Sequence, residues 1–93
     1  MERKNKVCEV ARKMIRNLKK LIELKNELSD LNKNKNNYVL KRNKATNEDK
    51  DYEYFKKILS LNNDEECIEE DIEVIYIKLE NYMKKLSEYK NCK

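Results

Sequence analysis

The chain has 93 residues, 22 Lys/Arg against 18 Asp/Glu for a net charge of +4, and neither Gly, Pro nor His. A chain of this length makes one domain that buries only about 60–65% of its unfolded surface, and its 43% charged and 39% hydrophobic residues describe long helices with solvated sides. The absence of Gly and Pro argues strongly against sheet proteins and phosphate-cradling loops and for helices joined by Asn-rich turns, and the absence of His removes the commonest general base and the His-dependent nucleophile and zinc sites.

Apolar residues near the start recur every seven positions, as Val7, Met14, Leu21 and Leu28, with Val10, Leu24 and Leu31 in a neighbouring row. This spacing predicts a first helix over residues 4–33. Cys8, Ala11, Ile15, Leu18 and Ile22 widen the stripe to roughly 160° of the helical wheel, more than a two-stranded seam uses, so this half is expected to meet two neighbours. Asn17 lies in the second row, where a polar side chain either fixes register or faces water at the seam's edge.

The run Asn32-Lys33-Asn34-Lys35-Asn36-Asn37 has weak helix propensity, and a basic loop is expected over residues 34–46, with Tyr38, Val39 and Leu40 turned back onto the core. Thr46 with Asp49 resembles a capping box, and Tyr52, Phe55, Ile58 and Leu59 follow at helical spacing, which predicts a second helix over residues 47–61. Asn62-Asn63-Asp64 followed by Glu65 and Glu66 reads as a new helix start. The third helix, over residues 64–91, carries Ile68, Ile72, Ile75, Leu79, Tyr82, Leu86 and Tyr89 at alternating four- and three-residue steps, a coiled-coil-like seam. Tyr54, Ile58 and Leu61 continue that phase backwards with only Glu65 intervening, so one long helix from residue 47 to 91 is the competing reading.

The expected fold is therefore all-α, a small three-helix bundle or a coiled-coil-like helical hairpin. Charge favours the bundle. Residues 1–46 hold 14 Lys/Arg and 5 Asp/Glu, and residues 47–93 hold 8 and 13. First and third helices lying parallel would set Arg12, Lys13, Arg16, Lys19 and Lys20 against the acidic stretch of residues 64–73, whereas a simple antiparallel hairpin would set like against like. The first helix also runs against its dipole, with Arg3, Lys4 and Lys6 at its start and Glu23, Glu27 and Asp30 near its expected end. The other account of these charges is an external acidic partner, protein or nucleic acid, on Arg12, Lys13, Arg16, Lys19, Lys20, Lys41 and Arg42.

No catalytic, cofactor or small-molecule site is expected. Glu66, Glu69, Glu70 and Glu73 share a helical face, but carboxylates from one exposed helix cannot surround a cation, so no metal is expected either. The three cysteines, Cys8, Cys67 and Cys92, are odd in number and lack C-x-x-C spacing, which suits a reduced, cytoplasmic setting. Neither the opening residues nor the longest apolar run, Val74-Ile75-Tyr76-Ile77, suits a membrane or a signal. That run instead makes one turn apolar nearly all round, because Val74 and Ile77 point away from Ile75 and its neighbour Tyr76. A helix of that kind is covered on two sides. Val74, Ile77, Tyr76, Ile15 and Ile22 are thus the expected contacts for a protein partner or a second copy. The six tyrosines are better explained by packing at rims and interfaces than by stacking on bases.

The residues Tyr52, Lys56-Lys57, Ile68, Ile75 and Leu86 resemble the second helix of tubulin-binding cofactor A, a small three-helix chaperone of tubulin. The resemblance covers under half of the chain and lacks that family's proline and last helix; it would imply a chaperone-like partner role. The residues by themselves point to a non-enzymatic interaction protein that binds through amphipathic helices. The alternative is a small nucleoprotein subunit whose basic first half tracks phosphates.

Overall fold

Two helices and a three-residue turn account for the described residues: α1, Glu2–Lys44, and α2, Glu48–Asn91. The structure, a computed structural model, describes the backbone of residues 2–91 and the side chains of residues 5–90; Cys92 and the side chains of Arg3 and Lys4 lie outside them. The helices pack along their full length as an antiparallel hairpin measuring 71 × 15 × 13 Å. Its radius of gyration, 20.8 Å, compares with about 12 Å for a globular chain of this length.

The fold is all-α and a helical hairpin, and the three-helix alternative is overturned. Burial shows why. In α1 the seam runs through Val10, Met14, Asn17, Leu21, Leu24, Leu28, Leu31, Lys35 and Tyr38, covered in unbroken three- and four-residue steps, with Ala11, and Asn62 on α2, half-covered beside it. In α2 they run likewise from Asp51 through Tyr54, Ile58, Leu61, Glu65, Ile68, Ile72, Ile75, Leu79, Tyr82 and Leu86 to Tyr89. Each apparent break is a seam position filled by a polar side chain. The basic loop expected over residues 34–46 is helical to Lys44 because Lys35 and Tyr38 stay in phase: Lys35 Nζ reaches Glu65 Oε2 at 3.0 Å, and the Tyr38 ring packs on Tyr54 with centroids 6.2 Å apart. Of the loop's apolar residues only Tyr38 packs back, while Val39 and Leu40 are exposed. The break expected between residues 61 and 64 is absent for the same reason, since Lys35 supplies the charge that lets Glu65 sit in the seam. Asn costs a helix only a few tenths of a kcal/mol per residue, which a continuous seam outweighs.

The chain reverses through residues 45–47. The Ala45 amide donates to the Arg42 carbonyl at 3.1 Å, closing α1. Asn47, not Thr46, caps α2: its Oδ1 accepts from the Asp49 amide at 2.9 Å. Arg42 Nε donates to Asp51 Oδ1 at 2.9 Å across the turn. The dipoles are served in the ordinary way here, with Lys41, Arg42 and Lys44 ending α1 and Glu48, Asp49 and Asp51 opening α2. Glu23, Glu27 and Asp30, expected near a helix end, are mid-helix. Asn17 donates to the Lys13 carbonyl of its own helix at 2.8 Å and so needs no partner across the seam.

Among the described residues the core proper is Val10, Leu21, Leu24, Ile72, Ile75 and Leu79. Truncating Ile75, the best covered at 3% exposure, should cost about 2–5 kcal/mol in chemical denaturation. Val74→Ala, one residue away at 50% exposure, should change stability by no more than about 0.5 kcal/mol. The Lys35–Glu65 pair gives a second test, because Glu65 Oε1 is buried without a hydrogen-bond partner. Lys35→Leu alone should cost about 1–3 kcal/mol, the penalty of a stranded polar group, and adding Glu65→Leu should recover most of it.

Candidate interaction surfaces

The seam leaves two flanks, and ring contacts identify what lies on each. On one, Lys25 Nζ sits 5.6 Å from the Tyr76 ring centroid. Leu18 is seven residues before Lys25 and Met83 seven after Tyr76, so both lie on this flank, level with each other and two turns nearer the open end. Ala11, seven residues before Leu18, lies in the same row, and Ile15 and Ile22 form the adjoining stripe of α1. Ile15, Leu18, Ile22, Tyr76 and Met83 are 43–61% exposed, an apolar surface outside the seam. Nearer the turn the same flank carries Val39 and Phe55, with Tyr52 and Leu59 beside them, all exposed; the Arg42 guanidinium lies 4.8 Å from the Phe55 centroid. Between these ends lies an open depression lined by Leu28 and Ile72 and bordered by Lys25, Ser29, Asn32 and Glu69.

On the opposite flank, Lys41 and Lys57 lie 5.3 and 5.1 Å from the Tyr38 ring centroid. Continuing by sevens from these residues, the flank passes through an open depression lined by Glu27, Asp30, Asn34, Asp64 and Cys67. It then reaches Lys20 and Lys13 on α1 and Lys78 and Lys85 on α2. Like does meet like, in three bands: basic at the turn, acidic in the middle and basic at the open end. The expectation that basic and acidic stretches would face each other inside a bundle is therefore overturned. Exposed ion pairs are each worth about 0–1 kcal/mol, too little to oppose a continuous apolar seam.

Of the expected partner contacts, Ile15, Ile22 and Tyr76 come together on the apolar flank. Val74 and Ile77 do not join them; they are half exposed on the back of α2, away from the seam. Leu18 and Met83 belong to the flank but were not among the expected contacts. Their signal was seven-residue spacing from Lys25 and Tyr76, which has meaning only once the antiparallel register is known. The second neighbour expected for the first half of α1 is not supplied within the chain, and Ile15 and Ile22 stay uncovered.

Of the expected basic contacts, Lys13, Lys20 and Lys41 share the charged flank, with Arg16 beside it and Arg12 and Lys19 on the back of α1. Arg42 is occupied by Asp51 and Phe55, and Lys13 by Glu9 at 3.4 Å. Lys78 and Lys85 complete the open-end band from α2, a contribution the charge count by halves hid. Among the described residues, Cys8 and Cys67 are free and exposed, no His, Cys, Asp or Glu group is arranged to hold a metal ion, and no helix is long and apolar enough to cross a membrane.

No family model, curated protein or solved structure matches the chain. The resemblance to tubulin-binding cofactor A gains nothing from these comparisons, and two helices stand where that family has three.

Proposed function

We propose that the chain is a non-enzymatic protein–protein interaction module of the cytoplasm, an assembly subunit, adaptor or small inhibitor that takes a helical surface on its apolar flank. The observation that carries this reading is the exposed row Ile15, Leu18, Ile22, Tyr76 and Met83 on one side of the hairpin. Scattered surface hydrophobics are ordinary, whereas a contiguous patch edged by charge marks a contact site. The accessible surface, 7794 Å², exceeds the about 5,700 Å² of a globular chain of this mass, as a rod of 71 × 15 × 13 Å must, and the exposed apolar row is part of it. The patch also has the usual anatomy of an interface, an aromatic and aliphatic centre with lysines and glutamates at its edge.

The test compares association by the immobilised wild type, by Leu18→Glu/Ile22→Glu and by Val74→Glu/Ile77→Glu, with helicity checked by circular dichroism. The flank variant should weaken association, with a second copy or another protein, by about tenfold or more, and the back-face variant should leave it near wild type. Association lost only in the back-face variant would move the docking surface to Val74 and Ile77; association unchanged in both would reject the reading.

One observation favours a second reading. Lys13, Lys20, Lys78 and Lys85, with Arg16, form a basic band at the open end of the charged flank, as a subunit of a nucleoprotein complex needs for contact with phosphates. Binding of duplex DNA or RNA at low salt should then weaken in Lys13→Ala/Lys20→Ala. Each lost phosphate contact on DNA should reduce the log–log salt slope by about 0.9. No binding of either nucleic acid at low salt rejects this alternative.

A further inference from the structure

The apolar flank is electrically divided between its two helices. On α1 the flank itself carries Lys25, and Arg12, Lys19 and Lys33 line its outer edge where it meets the back of the helix, whereas the described acidic residues of α1, Glu9, Glu23, Glu27 and Asp30, lie toward the other flank. On the same side α2 carries Glu66, Glu69, Glu73 and Glu80 through its middle, with Lys56, whose Nζ lies 4.6 Å from the Tyr52 ring centroid, Lys84 and Lys90 only toward its ends. A partner that suits the middle of this flank therefore presents acidic residues to α1 and basic residues to α2, with apolar residues between them.

The hairpin itself has that description. We infer that the occupant of the apolar flank is a second copy of this chain, docked face to face about a two-fold axis parallel to the helices, so that α1 of each copy lies antiparallel along α2 of the other. This inference rests on the flank being the docking surface. The register of the hairpin repeats across the new contact: Leu18 meets Met83 of the second copy, and Lys19 comes level with its Glu80. Both contacts are formed twice, as an isologous interface requires, and the product is a four-helix bundle in which every neighbouring pair is antiparallel.

Other self-pairings are disfavoured by charge. A two-fold axis across the flank, perpendicular to the helices, would stack α1 on α1 and α2 on α2, setting lysines against lysines and glutamates against glutamates. The charged flank cannot pair with itself in either sense, since its open-end lysines would meet either their own copies or Lys41 and Lys57 at the turn. Area is sufficient: an interface of standard size takes about 800 Å² from each partner, well within the surplus surface of the single hairpin.

Sedimentation equilibrium at micromolar concentration should give twice the 11.3 kDa chain mass. Two charge-reversed forms then test the geometry without relying on a core substitution that could unfold the chain. Lys19→Glu/Lys25→Glu and Glu73→Lys/Glu80→Lys should each sediment as monomers, because each sets like charges together at both contacts. An equimolar mixture of the two should recover the dimeric mass. A monomeric wild type, a dimer that both reversed forms retain, or a mixture that stays monomeric would overturn the inference. If the wild type is monomeric yet Leu18→Glu/Ile22→Glu still loses another protein, the docking surface stands and only its occupant is wrong; if that variant loses nothing, the docking surface falls too.

Discussion

The molecule depends on a single seam, two rows of side chains at three- and four-residue steps, Val10 to Tyr38 on α1 and Asp51 to Tyr89 on α2, meeting in antiparallel register and closed at the turn by Arg42 with Asp51. Two helices can cover only one stripe of each other. With 43% charged residues and no turn-forming Gly or Pro, the chain has neither the apolar content nor the connections to fold a third layer over that stripe. Its continuity decides the secondary structure as well: polar residues at Asn17, Lys35, Asp51 and Glu65 stay helical because their neighbours on the seam do.

Once the register is set, everything outside the seam is sorted to a side. The Lys25–Tyr76 contact puts Leu18 level with Met83, and the two lysines on Tyr38 put Lys20 level with Lys78. One flank is thus apolar at both ends, and the other is banded by charge with like beside like. Packing and electrostatics disagree on the second flank, and packing prevails because six buried side chains, each worth up to about 1.5–3 kcal/mol, outweigh exposed charge pairs worth at most about 1 kcal/mol. The unrelieved charge and the uncovered apolar row are both consequences of that outcome.

Much of the seam was legible in the sequence. Ile68 to Tyr89 and the seven-residue rows of α1 were read in the right phase, and the backward continuation through Leu61, Ile58 and Tyr54 was visible. What misled was treating residues singly. Asn62-Asn63-Asp64 has the composition of a helix start and residues 32–37 that of a loop, and only the pairing of Lys35 with Glu65, thirty positions apart, shows that both stretches belong to the seam. The choice of bundle over hairpin failed because ion-pair complementarity was allowed to select a topology. The uncovered row was legible in part: the excess width of the α1 stripe placed Ile15 and Ile22 outside a two-stranded seam, and both are exposed. The fact that Tyr76 shares their flank while Val74 and Ile77 do not is a property of the register, which no single helix contains.

The register is therefore the claim to test most directly, by pulsed electron–electron distance measurement between spin labels in a background with its native cysteines replaced by serine, diluted with unlabelled chain. Labels at residues 13 and 85 should be close, being level on one flank. Labels at residues 13 and 71 should be far apart, because 14 residues of helix separate positions 71 and 85 by about 21 Å along the axis. The reverse order, with residue 13 near 71 and far from 85, would mean that the first and last segments run parallel, and would contradict the account.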